Sequence, residues 1–461
     1  MIDPRDLDLL RGAADAALDY VANVDGRPAG VGAAAEAALG RFDEPLPDGP
    51  GSAAGTLALL AAVGGPATMA STGPYYFGFV NGATLPVALG ASFLASAWDQ
   101  NAALPVMSPV AARLHGVVRG WLVDLLDLPS QTELAFVTGA TVANASALAA
   151  ARDTLLTDVG WDVQRDGLFE APRVEVVVGE RAHTTIGKSL GLIGLGRGRV
   201  SVVPADDQGR MTVEGLAAVE LPPERPVIVC AQAGEVNTGA FDPFPAIVEW
   251  CRARPCAWLH VDGAFGLWAL ADPERAALVE GLTGADSWAT DGHKWLNVTY
   301  DCGLAFVARP GALRRTFAAT AGYLPPDAAA FEAMHQTPQS SQRARQIEVW
   351  AVLRTLGRSG VADLVQRAGA CARLMADRLG SAGFDVLNDV VLNQVLVRWG
   401  DGPSTATLIE EIQRDGRVWC GPTDWDGAPA MRISVSSWKT TPATAARAAD
   451  VIVEVAARVA R

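Results

Sequence analysis

The chain has 461 residues, of which 50% are hydrophobic and 19% are charged, and its formal net charge is −14 at pH 7. So large an apolar fraction excludes an intrinsically disordered protein. The acidic balance also argues against nucleic acid as a partner, because an acidic surface repels the phosphate backbone. A chain of this length predicts a large domain with a smaller one beside it.

The first residues, 1–6, lack the basic region and apolar core of a signal peptide, so we expect none. Apolar runs such as residues 57–63 are too short to span a bilayer. The cysteines are scattered without a C-x-x-C pair, which is typical of buried free thiols in a reducing compartment. They are Cys230, Cys251, Cys256, Cys302, Cys371 and Cys420. Together these features predict a cytoplasmic protein without a membrane partner.

The N-terminal region is rich in small residues. Residues 4–40 are alanine-rich and predict helices, and the Pro- and Gly-rich stretch 45–55 predicts a linker. The segment 73–82 then alternates aromatic residues with glycines outside any periodic element. Aromatic loops of this kind often line pockets or subunit contacts. A covered loop of the core explains the same pattern, so both interpretations stay open.

From about residue 120, short apolar runs alternate with longer helical stretches. The apolar runs cover residues 133–138, 174–178, 227–231, 258–262 and 304–308. This alternation predicts an α/β fold with a mostly parallel sheet and crossover helices.

After about residue 310 the pattern indicates a smaller α+β domain. It predicts helices at 343–356 and 362–379 and strands at 391–399 and 431–435. A last helix is expected after Thr441, which can cap it, with Pro442 at its first position. We therefore divide the chain into an N-terminal helical segment (1–60), a large domain (61–310) and a small C-terminal domain (311–461).

Two short runs carry the strongest chemical signal. Asp262 ends an apolar strand within His-Val-Asp-Gly-Ala (260–264), and Lys294 follows the next strand within Asp-Gly-His-Lys-Trp (291–295). Pyridoxal phosphate chemistry needs both groups. A lysine forms an imine with the cofactor aldehyde, and a carboxylate keeps the pyridine nitrogen protonated so that the ring accepts electrons.

Other residues near predicted strand ends suit the same cofactor. Ala140 and Thr141 stand between a strand and an alanine-rich helix, where backbone N–H groups and the helix dipole favour an anion. His183 follows a strand end, and its flat ring is suited to stack on a cofactor; a hydrogen-bonded core histidine is the alternative. Ala264 lies on the same side of its strand as Asp262, where a small side chain leaves room for a ring.

Two competing motifs are weaker. His260 and Asp262 have a spacing that metal ligands use, but no third ligand cluster accompanies them, so we predict no metal site. The glycines between residues 191 and 198 do not fit G-x-G-x-x-G, and they follow a helical stretch. A dinucleotide loop is therefore not expected.

With these motifs in hand, the chain resembles the pyridoxal-phosphate-dependent group II amino acid decarboxylases, the aromatic-L-amino-acid decarboxylase family. The resemblance extends from about Gly73 to Thr441 and is most specific in residues 260–264, 293–295 and 301–303. It implies the aspartate-aminotransferase-like fold (fold type I), with a mostly parallel seven-stranded sheet in the large domain. It also implies a homodimer whose active sites lie at the subunit interface.

The resemblance assigns roles residue by residue. Lys294 would bind pyridoxal 5'-phosphate covalently, and Asp262 would pair with its ring nitrogen. His183 and Ala264 would lie against the two faces of the ring. The resemblance places the remaining cofactor contacts at Ala140, Thr141, Asn237, Asp291 and His293, and a substrate loop with Tyr75, Phe77, Phe79 and Asn81.

The chain departs from the family pattern at three places. Glu235 precedes Asn237 in a stretch where the family often has threonines. Asp291 stands where many members have asparagine, and a carboxylate would not neutralise a phosphate. The family's mobile loop carries a tyrosine that protonates the substrate carbanion, but none is found at the matching place here. His335 is the nearest proton donor, and Tyr323 lies earlier in the chain.

Three functions stay open at this point. The first is decarboxylation of an L-amino acid to its amine and carbon dioxide, with Lys294, His183 and His335 as catalytic residues. The second keeps the cofactor but catalyses oxidative deamination to an aldehyde, transamination, with Arg432 as a carboxylate clamp, or carbon–carbon bond cleavage. The third is a binding or regulatory module. The aromatic residues of 75–79 and Trp98 favour an aromatic substrate, whereas the polar groups at 99–101 would suit a polar one.

Overall fold

The computed structural model describes residues 3–319 and 332–461. The chain forms two compact units, and each has its own sheet. The first unit comprises Met1–Asn81, Cys371–Leu387 and Val395–Arg461, and the second comprises Gly82–Ala370 and Asn388–Gln394. Each unit is built from several separate stretches of chain, whereas the predicted segments 1–60, 61–310 and 311–461 are each continuous. That three-part division stays a prediction.

The helices and strands alternate through most of the second unit. The helices are α1 (Pro4–Asn23), α2 (Ala33–Ala38), α3 (Ala53–Leu59), α4 (Pro86–Trp98), α5 (Pro109–Leu125), α6 (Ala140–Asp158), α7 (Val163–Asp166), α8 (Thr184–Leu192), α9 (Val213–Ala217), α10 (Phe244–Arg252), α11 (Ala312–Phe317), α12 (Gln346–Ser381), α13 (Gly402–Asp415) and α14 (Pro442–Val459). The strands are β1 (Glu133–Val137), β2 (Glu175–Gly179), β3 (Ser201–Val203), β4 (Val227–Gln232), β5 (Ala257–Asp262), β6 (Ser287–Asp291), β7 (Gly303–Val307), β8 (Asp385–Val386), β9 (Gln394–Arg398), β10 (Gly421–Trp425) and β11 (Ala428–Ser434).

The larger sheet has seven strands in the order β1-β7-β6-β5-β4-β2-β3. The neighbouring pairs from β6 to β3 are parallel, and β7 runs antiparallel to the strands on both its sides. Most of its strands are rich in apolar residues, and every residue of β4 is buried. Burial of both faces is typical of a parallel sheet covered by helices. The predicted α/β class with a mostly parallel seven-stranded sheet is confirmed.

Helix α6 packs across this sheet. Its alanine-rich sequence is almost entirely buried, and it contacts β1, β4, β5, β6 and β7. Small side chains let the helix approach the strands closely, and with the apolar strand residues they form the main core. Because α6 begins just after β1 ends, its N-terminus lies at the carboxyl edge of the parallel strands.

The other unit holds a four-stranded sheet in the order β10-β11-β9-β8. The pairs β10–β11 and β8–β9 are antiparallel, and α13 packs on β11 and against α14. Helix α14 begins as the sequence predicts. Pro442 is its first residue, and the Thr441 hydroxyl accepts a hydrogen bond from the N–H of Thr444 at 3.2 Å. This unit matches the predicted small α+β fold.

The two helices expected at 343–356 and 362–379 correspond to α12, which consists of two helical segments joined at Gly357, where the backbone is not helical and φ is 61°. Two other predicted boundaries were wrong in detail. The strand expected from residue 391 begins at Gln394, because the preceding residues form a loop held by Asn388, whose amide donates to the Gln394 carbonyl at 2.9 Å. The linker expected at 45–55 ends at Ser52, whose hydroxyl caps α3.

The cysteines are free, and all except Cys256 are buried, as their scattered spacing predicted. Burial raises the pKa of the Cys251 and Cys420 thiols to about 12, so both stay protonated at neutral pH. In the part of the chain that the structure describes, no helix combines the length and the apolar character that crossing a membrane requires.

Candidate active site

The carboxyl edge of the large sheet collects the polar residues that the sequence singled out. Strand β4 ends at Gln232, β5 at Asp262 and β6 at Asp291. His183 lies beyond β2 as the N-cap of α8, and Ala140 is the first residue of α6. Ligands of open α/β sheets bind at this edge.

Lys294 and Asp291 form an ion pair at this edge. The Lys294 Nζ lies 3.1 Å from Oδ2 of Asp291, and their side chains are 20% and 4% exposed. The backbone is closely packed here, because a Cβ on Gly82 would lie 1.9 Å from the Lys294 carbonyl oxygen. Asn297 holds the turn that follows, and its Oδ1 accepts from the N–H of Ala83 at 3.0 Å. Lys294 therefore combines a fixed backbone with an amine that solvent reaches.

His293 is positioned by the chain that follows it. Its Nδ1 accepts from the N–H of Cys302 at 3.0 Å, and its ring packs on Tyr300 with 4.2 Å between centroids. Its Nε2 lies 3.6 Å from Oδ1 of Asp291. Burial lowers the pKa of His293, and the Asp291 carboxylate opposes that shift. A neutral His293 that accepts at Nδ1 carries its proton on Nε2, toward Asp291.

The N-terminus of α6, the predicted phosphate site, is bonded to a carboxylate. The N–H of Ala140 donates to Oδ1 of Asp291 at 2.7 Å. The N–H of Asp291 in turn donates to the Ala264 carbonyl at 2.9 Å, which joins the two acidic runs. Thr141 is half-buried, and its carbonyl accepts from the Ser189 hydroxyl at 3.1 Å. The head of α6 thus already faces a negative charge that belongs to the protein.

Asp262 is buried and held by neutral donors. Its Oδ2 accepts from the Asn144 amide at 3.0 Å, and its Oδ1 accepts from the N–H of Ala264 at 3.2 Å. Burial raises the pKa of Asp262, whereas the charges of His183 and Lys294 and the two donors lower it. The carboxylate therefore depends on its neighbours to stay ionised.

The sequence did not predict that three buried residues, Asn144, His260 and Ser287, are linked to Asp262 by hydrogen bonds. The His260 ring lies 2.9 Å from the Asn144 Oδ1 through Nε2 and 2.9 Å from the Ser287 Oγ through Nδ1. Burial lowers the pKa of His260 to about 3, so the ring is neutral. Two signals were present: an asparagine within the alanine-rich α6, and a histidine two residues before Asp262. Both His260 nitrogens are engaged, which accounts for the His-x-Asp spacing without a metal.

His183 is oriented by residues at the start of α8 and at the end of β4. Its Nδ1 lies 2.7 Å from the Thr185 hydroxyl, and its backbone N–H donates to Oε1 of Gln232 at 3.0 Å. The Gln232 amide also donates to the Arg181 carbonyl at 3.0 Å. The end of β4 therefore holds the loop that follows β2. The stacking role of His183 stays a prediction.

Asn237 lies in a turn that Glu235 organises. Its backbone N–H and its amide donate to the Glu235 carboxylate at 2.7 and 3.0 Å, and the N–H of Thr238 donates to the same group at 2.8 Å. Burial raises the pKa of Glu235, and these donors lower it. Glu235, one of the departures from the family pattern, thus builds this turn. The cofactor contact of Asn237 stays a prediction.

His335 is buried, and both of its ring nitrogens are engaged. Its Nε2 lies 2.8 Å from Oε2 of Glu332, and its Nδ1 accepts from the N–H of Ala319 at 3.3 Å. Tyr323, the other candidate donor, lies outside the described residues. The role of His335 as proton donor stays a prediction.

The predicted substrate loop belongs to the first unit. Tyr76 stacks on Trp419 with 4.9 Å between centroids, and Phe79 packs on the same indole at 5.4 Å. Phe77 is buried, whereas Phe79 is 62% exposed. Trp98 belongs to the second unit, where it ends α4 and is exposed. The predicted substrate residues in the first unit are Tyr75, Phe77, Phe79 and Asn81.

A family model described as the pyridoxal-dependent decarboxylase conserved domain matches residues 66–399. The chain belongs to the pyridoxal-dependent decarboxylases. L-2,4-diaminobutyrate decarboxylase from Rhizobium meliloti (strain 1021) is 30% identical to it over 437 residues, which cover 90% of this chain and 84% of that protein. Aromatic-L-amino-acid decarboxylase from Bacillus atrophaeus is 25% identical over 386 residues, which cover 80% and 78%.

The fold of this decarboxylase also matches solved structures. The crystal structure of Oryza sativa TDC with PLP and tryptamine superposes with a TM-score of 0.91 at 21% identity and covers 99% of each chain. The predicted aspartate-aminotransferase-like fold and the resemblance to the group II decarboxylases are confirmed. The protein is a carboxy-lyase that acts on an amino acid, and its cofactor is pyridoxal 5'-phosphate.

The residues at the sheet edge fit this cofactor. Lys294 offers a partly exposed primary amine on a fixed backbone. A carboxylate has about four lone-pair sites, so the two donors on Asp262 leave it capacity for the N–H of a pyridinium ring. The N-terminus of α6 supplies backbone N–H groups and the positive end of a helix dipole for a phosphate.

Proposed function

We propose that this decarboxylase converts an L-amino acid with an aromatic side chain to the corresponding amine and carbon dioxide. The observation that carries the proposal is that Lys294 and Asp262 lie at one sheet edge. Asp262 ends β5, Lys294 follows the end of the neighbouring strand β6, and the charge of Lys294 lowers the pKa of Asp262. A cofactor bound covalently at one end and ionically at the other needs both groups.

When bound, pyridoxal phosphate supplies an electron sink for the bond that breaks at the substrate α-carbon. In the proposed mechanism, Lys294 would hold the cofactor through its Nζ. Asp262 stays ionised through its donors and would keep a proton on the ring nitrogen. His183 and Ala264 would confine the ring between them. His335 returns a proton to the α-carbon after carbon dioxide leaves.

The N-terminus of α6 is the proposed phosphate site. Ala140 and Thr141 present their backbone N–H groups there, and His293 and Asn237 are further proposed contacts. Asp291 already accepts the hydrogen bond of Ala140. A bound phosphate would therefore share this helix end with a carboxylate, which is the least favourable feature of the site.

The proposed aromatic substrate rests on segment 75–81. Phe79 exposes most of its ring, and the segment contains no charged residue. It therefore offers no carboxylate to pair with a cationic side chain such as that of 2,4-diaminobutyrate. Asp99, which follows α4 and is exposed, is the group that would support the polar alternative.

We also propose that the enzyme is a homodimer with the active site at the subunit interface, as the family resemblance implies. Phe93, Leu94 and Trp98 expose apolar side chains along α4. Exposed apolar side chains close together on one helix are suited to a protein contact. Light scattering on the purified enzyme checks the subunit number.

The deciding experiment is one incubation of the holoenzyme with a mixture of amino acids, including tryptophan, tyrosine, phenylalanine, glutamate, histidine and 2,4-diaminobutyrate. Mass spectrometry follows amine, aldehyde and carbon dioxide. We expect an aromatic amine and an equal amount of carbon dioxide, and we expect Lys294→Ala to abolish turnover and the borohydride-reducible link to the cofactor. Aldehyde with ammonia and peroxide would replace the proposed reaction by oxidative deamination. A fully active Lys294→Ala variant would refute the assignment of the lysine.

A further inference from the structure

A line of buried hydrogen bonds leads to Asp262 through side chains of β5, β6 and α6. It starts at Trp258, whose indole Nε1 donates to the Ser287 hydroxyl at 2.8 Å. An indole N–H only donates, so the Ser287 oxygen accepts there. The serine proton is left free to point to the Nδ1 of His260, which lies 2.9 Å away.

The direction of the remaining links follows from this start. A neutral His260 that accepts at Nδ1 carries its proton on Nε2, which faces the Asn144 Oδ1 at 2.9 Å. The Asn144 amide is thereby oriented with its NH₂ group toward Asp262, and its Nδ2 donates to Oδ2 at 3.0 Å. The side chains of Trp258, Ser287, His260 and Asn144 have no exposure to solvent. Water therefore cannot easily substitute for any link.

We propose that Ser287, His260 and Asn144 are positioning residues that aim an amide donor at Asp262 and keep it a carboxylate for the cofactor's ring nitrogen. This inference rests on the proposed role of Asp262. Burial favours the protonated form of this carboxyl, and a protonated Asp262 cannot hold a proton on the ring. A reversed amide would turn a carbonyl oxygen toward the carboxylate, so the direction of the whole line matters.

The first test compares two ligands on the apoprotein. One is pyridoxal phosphate, and the other is its 1-deaza analogue, in which C–H replaces the ring nitrogen. The ratio of the two dissociation constants measures the contact between Asp262 and that nitrogen alone. We expect Asn144→Ala to reduce the preference for pyridoxal phosphate by about tenfold to a hundredfold, the range for a hydrogen bond to a charged group. Ser287→Ala should reduce it less, because it acts through two further links.

Ser146→Ala is the matched control. Ser146 is also buried in α6, and its hydroxyl meets no hydrogen-bond partner among the residues that the structure describes. Its removal should leave the preference between the two ligands unchanged. Asp262→Asn tests the premise, and it should abolish the preference. An unchanged preference in Asp262→Asn would overturn the role of Asp262 and this inference with it. A lost preference in Asp262→Asn but not in Asn144→Ala would overturn the positioning role alone.

A second readout needs no cofactor. The chain has five histidines, so selective ¹⁵N-histidine labelling gives a spectrum in which His260 is assigned by the loss of its signals in His260→Gln. We expect His260 to show a proton on Nε2 in the native apoprotein and to lose this single tautomer in Ser287→Ala. A proton on Nδ1 in the native protein would reverse the amide and overturn the proposal.

Discussion

The two carboxylates at the ends of neighbouring strands, Asp262 on β5 and Asp291 on β6, are held in opposite ways. Asp262 accepts hydrogen bonds from a buried amide and a backbone N–H, and both donors are neutral. Asp291 accepts from the N–H of Ala140 and faces the ammonium of Lys294. Both carboxylates are buried at the same sheet edge, so they differ in their hydrogen-bonding and charged partners rather than in burial.

This difference indicates two tasks. A carboxylate fixed by neutral donors keeps its charge available for a ligand, and it is suited to hold a pyridinium for the lifetime of the enzyme. A carboxylate paired with Lys294 stabilises the free amine as an ammonium, and that pair has to break before the lysine reacts. In the proposed roles, Asp262 would therefore favour the bound cofactor, whereas Asp291 would favour the cofactor-free enzyme.

Replacing Asp262 is expected to have the largest effect. Asp262→Asn removes the charge that we propose keeps the ring nitrogen protonated but preserves the shape of the side chain. We expect turnover to fall by about a hundredfold to ten-thousandfold, the range for losing a positioned acid or base group. Steady-state kinetics of the cofactor-saturated enzyme measure this. A loss no larger than that of Asp291→Asn would remove the distinction between the two carboxylates.

His260, whose side chain is linked to Asp262 through Asn144, makes the free energy of unfolding depend more steeply on pH in acid. The folded-state pKa of His260 is lowered to about 3 from a normal value of 6.5, so the unfolded chain binds a proton that the native protein does not. The stability that His260 contributes is complete above pH 6.5 and is lost as the pH falls toward 3. Between about pH 7 and about pH 5 the loss amounts to about 2 kcal/mol.

Urea unfolding at these two pH values measures the effect. We expect His260→Gln to remove about 2 kcal/mol from the acid-dependent loss of unfolding free energy. His115 is the matched control, because burial lowers its pKa to about 3 as well, and it packs edge-on against Phe136, away from Asp262. His115→Gln should flatten the pH dependence equally but leave cofactor selectivity intact. An unchanged slope in His260→Gln would mean that the native ring is protonated.

The two carboxylates also show how much of the site can be predicted from the sequence alone. The strand-end positions of Asp262, Asp291 and Lys294 followed from apolar runs and local motifs, because strand direction brings the carboxyl ends of parallel strands to one edge. The partners of those residues did not follow. Asn144 is 118 residues from Asp262 in sequence, and no local pattern states which face of α6 meets β5.

Two short strands were also not predicted, because they lack a local sequence pattern. Strand β3 has three residues and β8 has two, so neither has enough alternation to be distinguished from a loop. The break in α12 at Gly357, by contrast, falls between the two helices that the sequence predicts. The turn made by Glu235 was seen only as a departure from the family, since its hydrogen bonds to Asn237 and Thr238 depend on burial.

Asp291→Asn is expected to have a smaller and opposite effect, namely tighter cofactor binding. The amide oxygen can still accept from the N–H of Ala140, so the head of α6 keeps its cap. Two costs of binding disappear, because the Lys294 ammonium loses its partner in the empty site and a phosphate at α6 no longer meets a carboxylate. We expect these two changes together to lower the dissociation constant of pyridoxal phosphate by about tenfold, or about 1.4 kcal/mol.

Inorganic phosphate separates these two costs, because it meets the helix end but does not react with Lys294. If charge repulsion dominates, the Asp291→Asn apoprotein binds phosphate more tightly by the same factor as it binds the cofactor. If the ion pair dominates, phosphate affinity is unchanged and only the cofactor gains. Asp291→Ala, which also removes the cap on Ala140, should gain less than Asp291→Asn in both titrations. Weaker cofactor binding by Asp291→Asn would show that this carboxylate, like Asp262, serves the bound state.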